Sequence, residues 1–216
     1  MPELPEVETT LKGLNILINK KVIKISTNIK KLRYHVPNNI SNKFKDQKII
    51  STERIAKYIL IHFKNNFTII IHLGMSGRLK IIKSNYIKEK HDHIVIFFNK
   101  SYKLIFNDTR RFGFIDISKT LEIYNKRYIS LLGVDALSKR LTINYMYAKI
   151  KKSEVPIKQL LLNQCIVSGI GNIYASEILY DAKISPLLKG KDLKTYQIKK
   201  IIKSIKKILK KAIRHG

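Results

Sequence analysis

The sequence of 216 residues has a single cysteine, Cys165, and few acidic side chains, fifteen Asp and Glu against forty-three Lys and Arg. One cysteine excludes an intramolecular disulfide and any multi-cysteine metal site within the chain. No run of about eighteen apolar residues is present, so no helix is expected to span a membrane. The N-terminus is acidic and polar, unlike a signal peptide, and a reducing cytoplasm fits. The shortage of acids leaves a formal net charge of +28. Such a field attracts polyanions, and nucleic acid is the leading partner, because Lys and Arg release counterions from phosphates. An anionic membrane surface is the plainer rival. The chain is also rich in Lys, Ile and Asn, so many lysines can be solvated decoration. An RNA-associated basic protein is disfavoured by the absence of an RNP-type Lys/Arg-Gly-Phe-Gly-Phe string.

The first twenty residues read as a helix. Glu3, Glu6 and Glu8 sit where negative charge favours a helix N-terminus, and Leu4, Val7, Leu11, Leu14 and Leu17 or Ile18 recur at helical spacing. From about residue 21 to 117, short runs rich in Ile, Val, Phe and Tyr alternate with turn signals, among them Ile49–Ser51, Tyr58–Phe63, Phe67–His72, Ile94–Phe98 and Lys103–Phe106. Short strands at this spacing predict a sandwich or barrel. Beyond about 120 the signal turns helical, over 142–151, 156–164 and 193–213, with a Gly-rich turn at 168–171 opening another helix. The last helix sets Leu193, Ile198, Ile201, Ile202, Ile205, Leu209 and Ile213 towards a core and leaves its other face nearly all lysine. The expected class is α+β: an N-terminal helix and β domain over 1–125, then a helical domain over 126–216.

Several positions carry chemistry. Once Met1 is removed, Pro2 presents a secondary amine that attacks an aldehyde-like carbon to give a cationic iminium, an electron sink; proline is also simply common at helix starts. Glu3 beside it is a proton shuttle or a dipole partner. Lys57 is an ammonium for a leaving group or a phosphate, or a snorkelling side chain. The turn His72-Leu-Gly-Met75-Ser-Gly77 sets Met75 either on an exposed tip, as a wedge for a base stack, or under the turn in the core. Asn107-Asp-Thr-Arg110-Arg-Phe112-Gly113 joins an Arg and a Phe able to fill the gap left by an extruded base; the plainer alternative is an Asp–Arg turn with Phe in the core. Gly169-Ile-Gly171-Asn172 at a helix entrance suits phosphate, without the spacing of a dinucleotide fingerprint or P-loop.

Taken together and in order, Met1-Pro-Glu-Leu-Pro-Glu-Val-Glu-Thr9, Ala56-Lys57-Tyr58, His72-Leu-Gly-Met-Ser-Gly77, Lys90-His-Asp-His93, Asp108-Thr-Arg-Arg-Phe-Gly113 and Ser168-Gly-Ile-Gly-Asn-Ile-Tyr-Ala-Ser-Glu177 resemble the formamidopyrimidine-DNA glycosylases across nearly the whole chain. Leu4 favours this branch over the related endonuclease VIII branch, where Gly is usual. The resemblance implies a β-sandwich followed by a helix–two-turn–helix domain, in a bacterial base-excision repair enzyme that removes 8-oxoguanine and formamidopyrimidines from double-stranded DNA and acts as an AP lyase. It implies Pro2 as the nucleophile at C1′, Glu3 as proton donor and Lys57 in phosphate binding and β-elimination. Met75, Arg110 and Phe112 would fill and wedge the duplex. His72, His91, Arg110, Asn172 and a lysine near 151–152, taken as Lys152, would hold DNA, with Glu6, Gly169 and Gly171 in support. The partner would be duplex DNA with a damaged base or abasic site, met by a monomer in the cytoplasm at the nucleoid. Where the family continues into a four-cysteine zinc finger, this chain stops at Lys211-Ala-Ile-Arg-His-Gly216 and has no Cys-x-x-Cys, so no metal or other cofactor is expected within it. The alternatives are a catalytically weak DNA-binding remnant of the same family and a basic RNA-associated protein.

Overall fold

The computed structural model describes residues 2–83 and 85–216. The chain divides into two compact units. One comprises Pro2 and Val7–Lys126, the other Glu3–Glu6 and Arg127–Gly216. The chain does not divide at a single point, because Leu4 is fully buried in the core of the second unit while Val7 belongs to the core of the first.

The first unit holds most of α1 (Leu4–Gly13), α2 (Ile40–Phe44) and eight strands, β1 (Val22–Thr27), β2 (Ile49–Ile55), β3 (Tyr58–Phe63), β4 (Phe67–His72), β5 (Arg78–Lys83), β6 (Asp92–Phe98), β7 (Tyr102–Asn107) and β8 (Phe114–Lys119). They form two four-stranded antiparallel sheets in the orders β1-β6-β7-β5 and β2-β3-β4-β8. Ile25, Ile94, Ile96, Leu104 and Phe106 of the first sheet share one core with Ile59, Ile61, Phe63, Ile69, Ile71 and Ile115 of the second. That shared core makes the unit a sandwich and settles the choice left open with a barrel. Side chains alternate across each strand, so Tyr58, His72 and Phe114 lie on the opposite face of the second sheet. They are cross-strand neighbours, Tyr58 opposite His72 and His72 opposite Phe114.

The expected twenty-residue helix is shorter. It stops at Gly13 and tightens into a 3-10 turn over Leu14–Leu17. Asn19 then takes a positive φ of 65° to reverse the chain into β1, so Leu14 and Leu17 reach the core from the tighter turn.

The second unit is helical: α3 (Arg127–Ser130), α4 (Ile143–Ile150), α5 (Ile157–Leu162), α6 (Asn172–Ala182) and α7 (Thr195–His215), with a two-strand parallel pair of β9 (Val134–Asp135) and β10 (Val167–Ser168). Thr142 caps α4, its hydroxyl accepting from the Tyr145 amide at 3.2 Å. Ile198, Ile201, Ile202, Ile205 and Leu209 bury one stripe of α7, each fully buried aliphatic contributing on the order of 2 kcal/mol. No helix of the described residues is long and apolar enough to cross a membrane.

Candidate active site

Three groups of residues stand out. The first is at the start of α6. Glu3 is only 2% exposed. Its carboxylate does not serve the helix it precedes. Oε2 accepts from the backbone N–H of Gly171 at 2.7 Å and of Tyr174 at 3.3 Å, and Oε1 from that of Ile173 at 2.9 Å. It therefore occupies the N-terminal amides of α6, where the helix dipole favours an anion. Glu6 takes the local role. Its Oε2 accepts from the Glu3 amide at 2.8 Å, as in a capping box, and its Oε1 accepts from the Tyr174 hydroxyl at 2.6 Å. Burial first, then the bond to Glu6, pushes the Tyr174 phenol well above its ordinary range, so it remains a donor.

The Gly-rich turn is shaped to admit this segment. A Cβ on Gly171 would lie 2.3 Å from the Glu3 carboxyl carbon, and one on Gly169, at φ +103°, would lie 2.5 Å from Leu4. The Leu4 amide donates to the Gly169 carbonyl at 3.0 Å. Gln164 braces the turn, accepting from the Gly169 amide and donating to the Ile170 carbonyl. The turn that the sequence offers to phosphate thus spends the amides of Gly171, Ile173 and Tyr174 on Glu3. Asn172 is exposed beside them.

The second group lies at one end of the sheet β2-β3-β4-β8. Ala56, at φ 52°, and Lys57 form the turn between β2 and β3, so Lys57 lies just before the strand. Arg54 supports that turn, donating to the Ala56 carbonyl at 3.0 Å while its Nε pairs with Glu8 at 2.6 Å. Lys57 is buried. His72 packs against Tyr58 and stacks on Phe114, ring centroids 5.0 and 5.6 Å away. Burial first, then the positive charges of Arg33 and Lys57, lowers the His72 imidazole to about 4. The ring is neutral at physiological pH. Its Nδ1 accepts from the Gly74 amide at 3.1 Å, which leaves the proton on Nε2. The same burial raises the Tyr58 phenol.

The third group is a pair of interlocked loops, residues 73–77 and 108–113. Asp108 is fully buried. Its carboxylate accepts from the Ser76 hydroxyl at 2.5 Å and from the Gly113 amide at 2.8 Å. Ser76 in turn accepts from the Arg110 amide at 3.0 Å. The backbones touch: a Cβ on Gly74, at φ +65°, would meet Gly113 N and Phe112 C at 2.4 Å. The pair presents Met75, 42% exposed, and Phe112, 45% exposed, with the Arg110 guanidinium 4.9 Å from the Phe112 ring centroid. Neither Met75 nor Phe112 is a core residue, and Asp108 bonds to Ser76 and Gly113 rather than forming an Asp–Arg turn. His91 is drawn to the same loops, its carbonyl accepting from the Asp108 amide at 3.1 Å.

Lys152 belongs to none of these groups. It is exposed in the turn after α4. The removal of Met1 concerns a residue outside those described. Among the described residues no three His, Cys, Asp or Glu side chains gather in a way that would hold a metal, and the single cysteine is exposed.

The sequence reading missed the residues that organise these groups. Asp108 figures in the sequence only through the plainer Asp–Arg turn, and a short acceptor just before a tight Gly-terminated loop is the signal of its actual role. Tyr174, Gln164 and Arg54 carry no local signal at all.

An antiparallel sandwich followed by a helical unit whose Gly-rich turn opens a helix onto a carboxylate defines an α+β protein of the helix–two-turn–helix kind. Residues 1–115 match the formamidopyrimidine-DNA glycosylase N-terminal domain, and residues 132–216 match the formamidopyrimidine-DNA glycosylase H2TH domain. The formamidopyrimidine-DNA glycosylases of Rickettsia bellii (strain OSU 85-389) and Rickettsia felis are 44% and 42% identical over 217 residues, covering all of this chain and 79% and 78% of theirs. The crystal structure of the Lactococcus lactis formamidopyrimidine-DNA glycosylase non-covalently bound to DNA containing an AP site superposes with a TM-score of 0.92 at 30% identity, covering 99% of this chain and 82% of that one. The structure of the wild-type Lactococcus lactis protein with a DNA containing N7-benzyl-Fapy-dG gives 0.92 and 30%, covering 99% and 79%. The chain belongs to the formamidopyrimidine-DNA glycosylase family, DNA glycosylases of base-excision repair.

Proposed function

We propose that this chain is a bifunctional DNA glycosylase and AP lyase that removes oxidised purines, 8-oxoguanine and formamidopyrimidines, from double-stranded DNA through a Schiff base at Pro2. The observation that carries the reading is the anchoring of the N-terminal segment: the backbone amides of Gly171, Ile173 and Tyr174 at the start of α6 hold Glu3, one peptide bond from Pro2. A nucleophile needs a fixed position, and a chain terminus has one only when tied down.

With Met1 removed, the Pro2 nitrogen attacks C1′ of the extruded nucleotide. The C1′–N bond breaks, its electron pair leaves with the base, and a proton reaches the base or the sugar ring oxygen through Glu3. Opening of the sugar ring leaves a cationic iminium between Pro2 and C1′. The iminium acidifies the C2′ proton. Loss of that proton expels the 3′ phosphate, and a second elimination expels the 5′ phosphate. Water then hydrolyses the iminium and returns the free amine. Lys57 grips phosphate and assists elimination. Met75, Arg110 and Phe112 fill the duplex where the base has left, and His72, His91, Asn172 and Lys152 hold the backbone. The protein acts as a monomer on DNA of the nucleoid.

The test is borohydride trapping on a duplex carrying one 8-oxoguanine and on an abasic duplex. A covalent adduct that maps to Pro2 and disappears when Met1 is retained supports the reading. Trapping at full yield with Met1 retained removes Pro2 from the mechanism. Duplex binding with no adduct on either substrate replaces the enzyme with a DNA-binding remnant of the family.

A further inference from the structure

The helix α7 carries a feature the glycosylase chemistry leaves unused. Its twenty-one residues include Lys199, Lys200, Lys203, Lys206, Lys207, Lys210, Lys211 and Arg214 and no acid. Its apolar stripe is buried in the unit's core, and its lysines face outward, Lys206 half-buried and the rest exposed. Only Lys207 has an ion-pair partner among the described residues, Asp181 of α6, which also accepts from the Ser204 hydroxyl. Elsewhere on the surface lysines find acids, as with Lys80 and Glu89 or Lys189, Lys191 and Glu154.

Local physics opposes this arrangement. Lys199 and Lys203, Lys203 and Lys207, Lys206 and Lys210, Lys207 and Lys211, and Lys210 and Arg214 are like charges four residues apart, each pair mildly destabilising to a helix. The dipole accounts for cations only in the last turn. It gives no reason for Lys199, Lys200 and Lys203, nor for a first turn without an acid. The exposed cations recur at each turn, about every 5.4 Å, over a length of about 22 Å from Lys199 to Arg214. A duplex carries one negative charge per about 1.7 Å of its axis, so its backbone is the complementary surface. A membrane would use an amphipathic helix through its apolar face, and here that face is already in the core.

We propose that the lysine face of α7 is a second, sequence-independent binding surface for the phosphate backbone of duplex DNA, separate from the residues assigned to the lesion. The proposal deepens the glycosylase reading, on which it rests: the surface would hold the protein on undamaged DNA.

The test replaces Lys199, Lys203, Lys210 and Lys211 by Gln together and follows binding to an undamaged 20-base-pair duplex by fluorescence anisotropy from about 50 to 300 mM KCl. The slope of log K against log salt should become shallower by about three to four, near 0.9 for each lost phosphate contact. Lys→Arg at the same four positions should keep the slope. Cleavage of an abasic duplex at low salt should survive in both variants, which separates this surface from the chemistry. If the Gln variant fails to fold by circular dichroism, the four single substitutions are read instead, each by about 0.9. An unchanged slope with intact cleavage overturns the surface and leaves the glycosylase reading standing. An unchanged slope with lost binding to phosphatidylserine vesicles also overturns it and gives the face to membrane. A wild-type chain that binds neither undamaged nor abasic duplex overturns both readings.

Discussion

Replacing Glu3 by Gln keeps the shape of the side chain but turns one acceptor into an NH2 group facing a backbone N–H of α6. At least one charge-assisted hydrogen bond is lost, and a buried donor is left facing another donor. The expected cost is about 2–3 kcal/mol, or roughly 5 °C or more in Tm for a chain of this size, read by thermal unfolding. The same substitution should slow release of 8-oxoguanine more than cutting at a preformed abasic site. Equal losses on the two substrates would leave Glu3 as an anchor only. His72 makes a prediction in pH. Its imidazole titrates near 4 in the folded protein against an ordinary value of 6.5. Above pH 6.5 the ring is neutral in both states. As pH falls from 6.5 to 4 the unfolded chain takes up a proton that the folded one refuses, so stability declines by up to about 3 kcal/mol. His72→Gln should flatten that part of the profile, measured by urea unfolding at each pH. Overlapping profiles would show that the ring is not held neutral. At this scale the sequence spoke through identity and not through partner. Glu3 is visible beside Pro2, but the amides that hold it are 168 to 171 residues away, and no spacing rule reaches that far.

The interlocked loops are the element that positions three side chains at once. A methyl group added at Gly74 would strike the backbone of Phe112 and Gly113, at a positive φ as well. Gly74→Ala should therefore cost about 2–4 kcal/mol and lower affinity for abasic duplex through Met75 and Phe112 together. Unaltered Tm and affinity would mean that the two loops are independent. Other elements differ in how openly they were written. The bounds of β3 and β4 were readable directly, because runs dominated by aliphatic and aromatic residues flank the break at Asn65–Asn66, and Asn66 takes the positive φ of 60° that the reversal needs. By contrast β5, Arg-Leu-Lys-Ile-Ile-Lys, is hidden by its charges, with Arg78 and Lys83 exposed at its ends and Lys80 half-buried. The five residues of α2 are too few for any period to show. The lysine stripe of α7 was plain from its spacing, since period and burial agree along the helix.

At the scale of the molecule, a net charge of +28 makes the folded chain repel itself. Salt screens that repulsion, with a Debye length of about 10 Å at 0.1 M. Tm in the absence of DNA should therefore rise between about 10 and 150 mM NaCl, measured by differential scanning fluorimetry. A Tm that falls with salt would mean that the ion pairs of the surface outweigh the excess lysines. Composition announced this charge at once, and the strand-to-helix change near 120 announced two units. What it concealed is that Glu3–Glu6 belong with the later unit. That placement has a consequence for biosynthesis. Glu3 is fastened by amides made 168 to 171 residues later, so on a ribosome adding about 5–20 residues per second the N-terminal segment waits on the order of 10–30 s for its anchor. Until then this segment lacks the hydrogen bonds that hold it in the folded protein.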